Sequence, residues 1–128
     1  MNTAVTNGIK ITVTTDFEEG HSDPYRSQFL FSYRIAIENM GEETVQLIRR
    51  QWCIHDSSGE YREVEGEGVV GAQPVLEPGE SYTYESACNL TTDAGKMHGT
   101  YIMKRTNDDE EFEVRIPEFK MIVPFRLN

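Results

Sequence analysis

The sequence predicts an all-β protein. Apolar and polar residues alternate along several segments, which is the period of a half-buried strand, and turn-forming residues separate these segments at regular intervals. Nowhere do apolar residues recur at three- and four-residue spacing over the length of a helix. Short strands at such spacing indicate two packed antiparallel sheets. We therefore expect one β-sandwich domain of the immunoglobulin or fibronectin type III kind over residues 1–128.

The alternating segments follow one another along the chain. Their apolar residues are expected to face the core: Ile9, Ile11 and Val13, then the odd positions from Phe29 to Ile37, then Tyr82 and Tyr84, and finally Phe112, Val114 and Ile116. Turns are expected at 39–41, 56–59, 77–80 and 107–109, where Gly, Pro, Asn, Asp and Ser cluster. Residues 99–101 resemble a tyrosine corner, in which the hydroxyl of Tyr101 would bond the backbone.

One segment, VQLIRRQWCIHD at residues 45–56, breaks its own alternation. Val45 and Leu47 share one phase, whereas Ile48, Trp52 and Ile54 share the other. A one-residue slip reverses every later side chain, so we predict a β-bulge near residues 47–49. Arg50 then shares the inward phase with Trp52. Its guanidinium is expected to reach the rim, to stack on Trp52, or to pair with a carboxylate.

The composition restricts the partners. Twelve basic and 22 acidic residues give a formal charge of −10, which disfavours nucleic acid because phosphate backbones attract clustered Lys and Arg. No apolar run is long enough to span a membrane, and the first residues lack a secretory signal, so a cytoplasmic location is expected. Cys53 and Cys88 stand far apart and are expected to be ordinary thiols.

The run GEGVVG at residues 66–71 has the glycine spacing of a dinucleotide-binding loop. That loop needs a following helix, but Pro74 and Pro78 stand close behind, so the dinucleotide interpretation is rejected. Two alternatives stay open. The glycines Gly66, Gly68 and Gly71 serve the backbone at a bulge or corner, or their amides bind an anion with help from Arg49, Arg50 or Arg62.

Catalytic and metal-binding patterns are sparse. No G-x-S-x-G or H-E-x-x-H occurs, so no enzyme activity and no cofactor are predicted. The three histidines lack metal-ligand spacing, and His55 with Asp56 forms only a weak candidate for a surface metal site.

The run VQLIRRQWCIHDSSGEYREVEGEGVVGAQPVLEPGESYTYESACNL, with GKMHGTYIM and FEVRIPEF after it, resembles the ApaG family, also called CorD. The likeness extends from about Ile9 to the end, and GEGVVGAQPVLEPGE is its most specific part. It implies a fibronectin-type sandwich, and the family name is attached to cobalt resistance, to magnesium efflux and to the neighbourhood of a diadenosine tetraphosphate hydrolase. Similar eukaryotic domains in F-box proteins look like protein-binding modules.

The sequence therefore predicts a non-catalytic module that binds another protein. The face around Arg50, Trp52 and the glycine run is the expected contact surface, since interfaces favour Arg and Trp as anchors. The alternative is a small-ligand site, in which the backbone amides of residues 66–71 hold a nucleoside polyphosphate or pyrophosphate.

Overall fold

Nine β-strands form the protein, and the structure, a computed structural model, describes residues 1–124. The strands are β1 (Asn2–Thr6), β2 (Ile9–Phe17), β3 (Phe29–Asn39), β4 (Val45–Asp56), β5 (Tyr61–Glu67), β6 (Val75–Leu76), β7 (Ser81–Leu90), β8 (Ala94–Arg105) and β9 (Glu111–Ile122). Two single-turn 3₁₀ helices, Glu19–His21 and Pro24–Arg26, lie between β2 and β3. No helix within residues 1–124 has the length and apolar character needed to cross a membrane.

The strands pair into two antiparallel sheets. One sheet has the order β1-β2-β3-β7, and the other has the order β5-β4-β8-β9 with β6 also paired to β4. The predicted all-β sandwich is therefore confirmed. The segments identified by alternation are β2, β3, β7 and β9, and their apolar residues face the space between the sheets.

Three aromatic rings join the two sheets at the centre of the core. Tyr33 on β3 lies 5.5 Å from the ring of Trp52 on β4 and 5.8 Å from that of Phe119 on β9, between ring centroids. Trp52 meets Phe119 edge-on at 6.0 Å. Rings in such tilted arrangements stabilise a core beyond the area they bury.

The predicted bulge in β4 is present. The register against β8 shifts between Leu47 and Arg49, which leaves Ile48 as the extra residue. Beyond the bulge, Arg50 and Trp52 point inward together, as the alternation predicted.

Two details of the sequence interpretation are wrong. Trp52 is only 3% exposed, so its indole cannot anchor a partner at the surface. Tyr101 forms no tyrosine corner, because its hydroxyl bonds the hydroxyl of Tyr84 at 2.5 Å inside the core. For Trp52, alternation gave the inward direction correctly, but it carried no information on how deep the side chain lies.

Replacing Trp52 by Ala tests its core position. We expect the free energy of unfolding to fall by about 3–5 kcal/mol, because the change removes a large buried ring from between two others. Val64 pairs with Trp52 across β4 and β5 but is 39% exposed, so Val64→Ala is the matched control and should cost less than about 1 kcal/mol. Urea unfolding measures the free energy of unfolding of both variants. Equal losses would contradict the placement of Trp52 in the core.

Candidate functional site

Residues 61–76 run along one edge of β4 and are called here the glycine-loop edge. β5 pairs with residues 49–55 of β4, and β6 pairs with Val45 and Gln46. The glycine run crosses the gap between these two pairings, beside the bulge. There the backbone amide of Gly68 and the side-chain amide of Gln73 both donate to the carbonyl of Ile48, at 2.8 and 2.9 Å. The loop thus completes the hydrogen bonding of the bulged strand.

The glycine run ends in a two-residue hairpin turn and not in a helix. Val69 and Ala72 exchange backbone hydrogen bonds of 2.8 and 3.0 Å, with Val70 and Gly71 at the tip. Both tip residues have positive φ, 46° at Val70 and 80° at Gly71. As the two prolines behind the run predict, no helix follows it; β5 precedes it and β6 comes next. With no helix behind it, the loop has no macrodipole to attract an anion.

Each glycine of the run has its own structural reason. A Cβ on Gly66 would lie 2.8 Å from a guanidinium nitrogen of Arg50. A Cβ on Gly68 would lie 2.2 Å from the carbonyl oxygen of Ala72, and Gly68 has a φ of 61°. Gly71 has free space around it but needs its φ of 80°. Crowding and backbone conformation therefore account for the G-x-G-x-x-G spacing.

Arg50 is half-buried and folds over Gly66 onto the loop. Its Nη1 donates to the carbonyl oxygens of Glu67 and Gly68, both at 3.0 Å. The acceptors are backbone carbonyls of the loop, and not the carboxylate that the sequence interpretation suggested as one alternative. The guanidinium occupies the space that a side chain at residue 66 would fill.

The three arginines of the predicted anion site do not converge. Arg50 is engaged by loop carbonyls, whereas Arg49 lies 3.9 Å from a carboxylate oxygen of Glu111. Arg62 crosses to the other sheet and donates to the carbonyl of Asn89 at 2.6 Å. The amides of Gly68 and Val69 donate to backbone carbonyls as well. This geometry argues against an anion cradle at the glycine run.

A double-mutant cycle tests the contact between Arg50 and Gly66. Arg50→Ala should lower the free energy of unfolding by about 2 kcal/mol because it removes charged hydrogen bonds. Gly66→Ala should cost about 1–2 kcal/mol in the parent, since the new methyl collides with the guanidinium, and close to nothing in the Arg50→Ala background. Chemical denaturation of the four proteins gives the coupling energy, and additive effects would refute the contact.

The carboxylate of Asp56, a metal-site candidate with His55 in the sequence interpretation, is engaged by groups of the turn after β7. It accepts hydrogen bonds from the backbone amide of Thr91 at 2.6 Å, from the Thr91 hydroxyl at 2.7 Å and from the Thr92 hydroxyl. Partial burial alone would raise the pKa of Asp56, but the hydrogen bonds from Thr92 and Thr91 outweigh it and hold the pKa below its ordinary value. The carboxylate therefore ties the end of β4 to the turn between β7 and β8.

The partner of His55 is another histidine, which the sequence interpretation missed. The Nε2 atoms of His55 on β4 and His98 on β8 lie 3.2 Å apart. Within residues 1–124 no group of three or more His, Cys, Asp or Glu side chains is placed to hold a metal ion. Both cysteines are free thiols, as expected.

The lowered pKa of Asp56 predicts a pH dependence. A carboxyl that is more acidic in the folded state stabilises the protein above its unfolded pKa of about 3.9, and this contribution is lost as pH falls through the folded pKa. Asp56→Asn should therefore be less stable than the parent by about 2 kcal/mol at pH 7, with a difference that shrinks below about pH 4. Urea unfolding from pH 7 to 3 measures the difference. Asp16→Asn, at an exposed position of β2, is the control for the loss of one negative charge.

The fold and the glycine-loop edge define a small two-sheet β-sandwich whose conspicuous arginines and glycines support its own backbone. Comparison with known proteins identifies the family of this sandwich. The chain belongs to the ApaG domain family, whose model matches residues 19–105. It is 51% identical to the protein ApaG of Anaeromyxobacter dehalogenans over 128 residues, with both chains covered completely. It is 48% identical to the protein ApaG of Brucella canis over 124 residues, covering 97% of this chain and 95% of the relative.

A solved structure of the family has the same fold. The crystal structure of the ApaA protein from Bordetella pertussis superposes with a TM-score of 0.87 at 41% identity. The match covers 91% of this chain and 94% of the other. The resemblance drawn from the sequence motifs is thereby confirmed.

Proposed function

We propose that the chain is a non-catalytic binding module that contacts another protein through the glycine-loop edge. The proposal depends on two properties of Val70, its exposure and its backbone conformation. Its side chain is 66% exposed, and its φ is 46°. A β-branched residue in this region of the φ/ψ map is an outlier whose conformation costs free energy. Because its isopropyl group is exposed, burial within the chain offsets little of that cost. A partner that covers the isopropyl group accounts for both features.

The rest of the glycine-loop edge supports an interface of this kind. Val64 and Val75 lie on the same edge of β4 and are 39% and 51% exposed. Within residues 1–124, β5 pairs with β4 alone, so its outer backbone groups face away from the sheet. An unpaired edge of this kind accepts an extended segment of another protein as an additional strand.

The charge of the edge indicates the chemistry of the partner. Glu63, Glu65 and Glu67 alternate along β5, opposed by Arg62 alone within that strand, and the whole chain has a formal charge of −10. A basic extended segment would be attracted and a second acidic chain repelled. The contact surface differs from the sequence prediction in one respect: Trp52 supports it from the core and does not touch the partner. The link to cobalt resistance and magnesium efflux rests on the family resemblance alone.

Val70→Asn separates binding from stability. Asn tolerates positive φ better than Val, so the variant should be more stable than the parent by about 1 kcal/mol in urea unfolding. It should nevertheless lose the partner, because the apolar side chain is gone. The matched control is Val5→Asn, which alters a valine that is 58% exposed on β1 of the other sheet.

The measurement is affinity capture from an extract of the native cells with the parent and both variants immobilised. A protein retained by the parent and by Val5→Asn but lost from Val70→Asn supports the proposal. If every captured protein binds Val70→Asn as well as the parent, the glycine-loop edge is not the contact surface. Calorimetric titration with ATP and diadenosine tetraphosphate addresses the alternative ligand class, and no binding heat is expected at millimolar concentration.

A further inference from the structure

Two histidine side chains meet on the outer face of the five-stranded sheet. His55 and His98 belong to adjacent strands, and their rings are nearly parallel, with an interplanar angle of 22° and centroids 5.3 Å apart. Both side chains are half-buried, and their Nε2 atoms approach each other to 3.2 Å. When both neutral rings carry their proton on Nδ1, the two Nε2 lone pairs are free and can share a cation at this distance.

The separation of the Nε2 atoms agrees with metal coordination. At a metal–nitrogen distance of about 2.0–2.1 Å, two ligands about 90° to 109° apart are about 2.8–3.4 Å from each other. The observed 3.2 Å lies inside this range. The β4–β8 ladder fixes the two backbones, so only the side-chain torsions of the two histidines remain to be ordered on binding.

The surroundings of the pair are compatible with a cation. Lys96 stands opposite His55 in the β4–β8 register, but its ammonium lies 3.5 Å from the carboxylate of Glu118. The β8–β9 ladder is irregular between Met97 and Gly99, and such bulges redirect the side chain between them, here that of His98. His98 lines a groove of about 640 Å³ and His55 lines a separate one of about 290 Å³, so each ring is reached from solvent.

We propose that His55 and His98 form a surface site for a divalent transition-metal ion of borderline softness, such as Zn²⁺ or Ni²⁺. The two Nε2 atoms are its protein ligands. Because no third ligand-type side chain within residues 1–124 completes the set, water occupies the remaining positions. The site stands on the outer face of the sheet and does not rest on the proposed contact with a protein partner.

The experiment is a titration of the full chain with ZnCl₂ under reducing conditions, followed by NMR of the imidazole signals. The sequence has three histidines, so each ring can be assigned by substitution. Signals of His55 and His98 should shift or broaden together, while His21, in a 3₁₀ helix elsewhere, should not respond. MgCl₂ at the same concentration should leave all three unchanged, because Mg²⁺ prefers oxygen ligands.

Substitutions distinguish this site from other modes of binding. His55→Gln and His98→Gln should each weaken Zn²⁺ binding at least tenfold, whereas His21→Gln and Cys53→Ser should bind as the parent does. Thermal unfolding without metal checks that each variant is folded. Binding that survives both His55→Gln and His98→Gln, or that is lost only in Cys53→Ser, would overturn the proposal. The absence of any Zn²⁺ response would overturn it too and would leave the pair as a hydrogen bond between the strands.

Discussion

The contact between Arg50 and the glycine run is the constraint on which this edge of the sandwich depends. The bulge at Ile48 reverses the later half of β4, and this reversal directs a permanently charged side chain inward. A half-buried guanidinium without acceptors would be costly, and here carbonyl oxygens of the neighbouring loop accept from it. The guanidinium lies directly over Gly66, where a Cβ would come within 2.8 Å of Nη1, so a side chain at residue 66 would displace it. The bulge, the arginine and the glycine are therefore matched to one another at this edge.

The same contact decides what the glycine run can bind. Nucleotide loops present free amides, and a helix behind them adds its dipole. In this loop the amides of Gly68 and Val69 donate to carbonyls of the chain, and the nearby arginines are engaged in three different places. A motif that matches a phosphate-binding pattern letter for letter is thus accounted for by local packing. Val70 is the residue that this packing does not explain.

Alternation predicted most of the fold because sheet faces are a local property of the chain. It located β2, β3, β7 and β9, and the phase break in β4 predicted the bulge. It did not predict what Arg50 contacts, since the acceptors are backbone carbonyls of residues 67 and 68, which have no signature in the sequence. The pair of His55 and His98 was missed for a related reason. The two residues are 43 positions apart, and only the register between β4 and β8 brings them together.

Tyr61 connects the two surfaces of the molecule. It is the first residue of the glycine-loop edge, and its ring centroid lies 4.7 Å from that of His55. Its hydroxyl donates to a carboxylate oxygen of Glu63 at 2.6 Å, so Tyr61 contacts both a histidine of the pair and an acidic residue of β5. A divalent cation held by the histidines would reduce the negative potential along β5, and with it the attraction for a basic segment. By linkage, a basic partner on β5 would then lower the affinity of the histidine pair for metal by the same factor. The two forms of binding would thus oppose each other through charge alone, without any change of backbone.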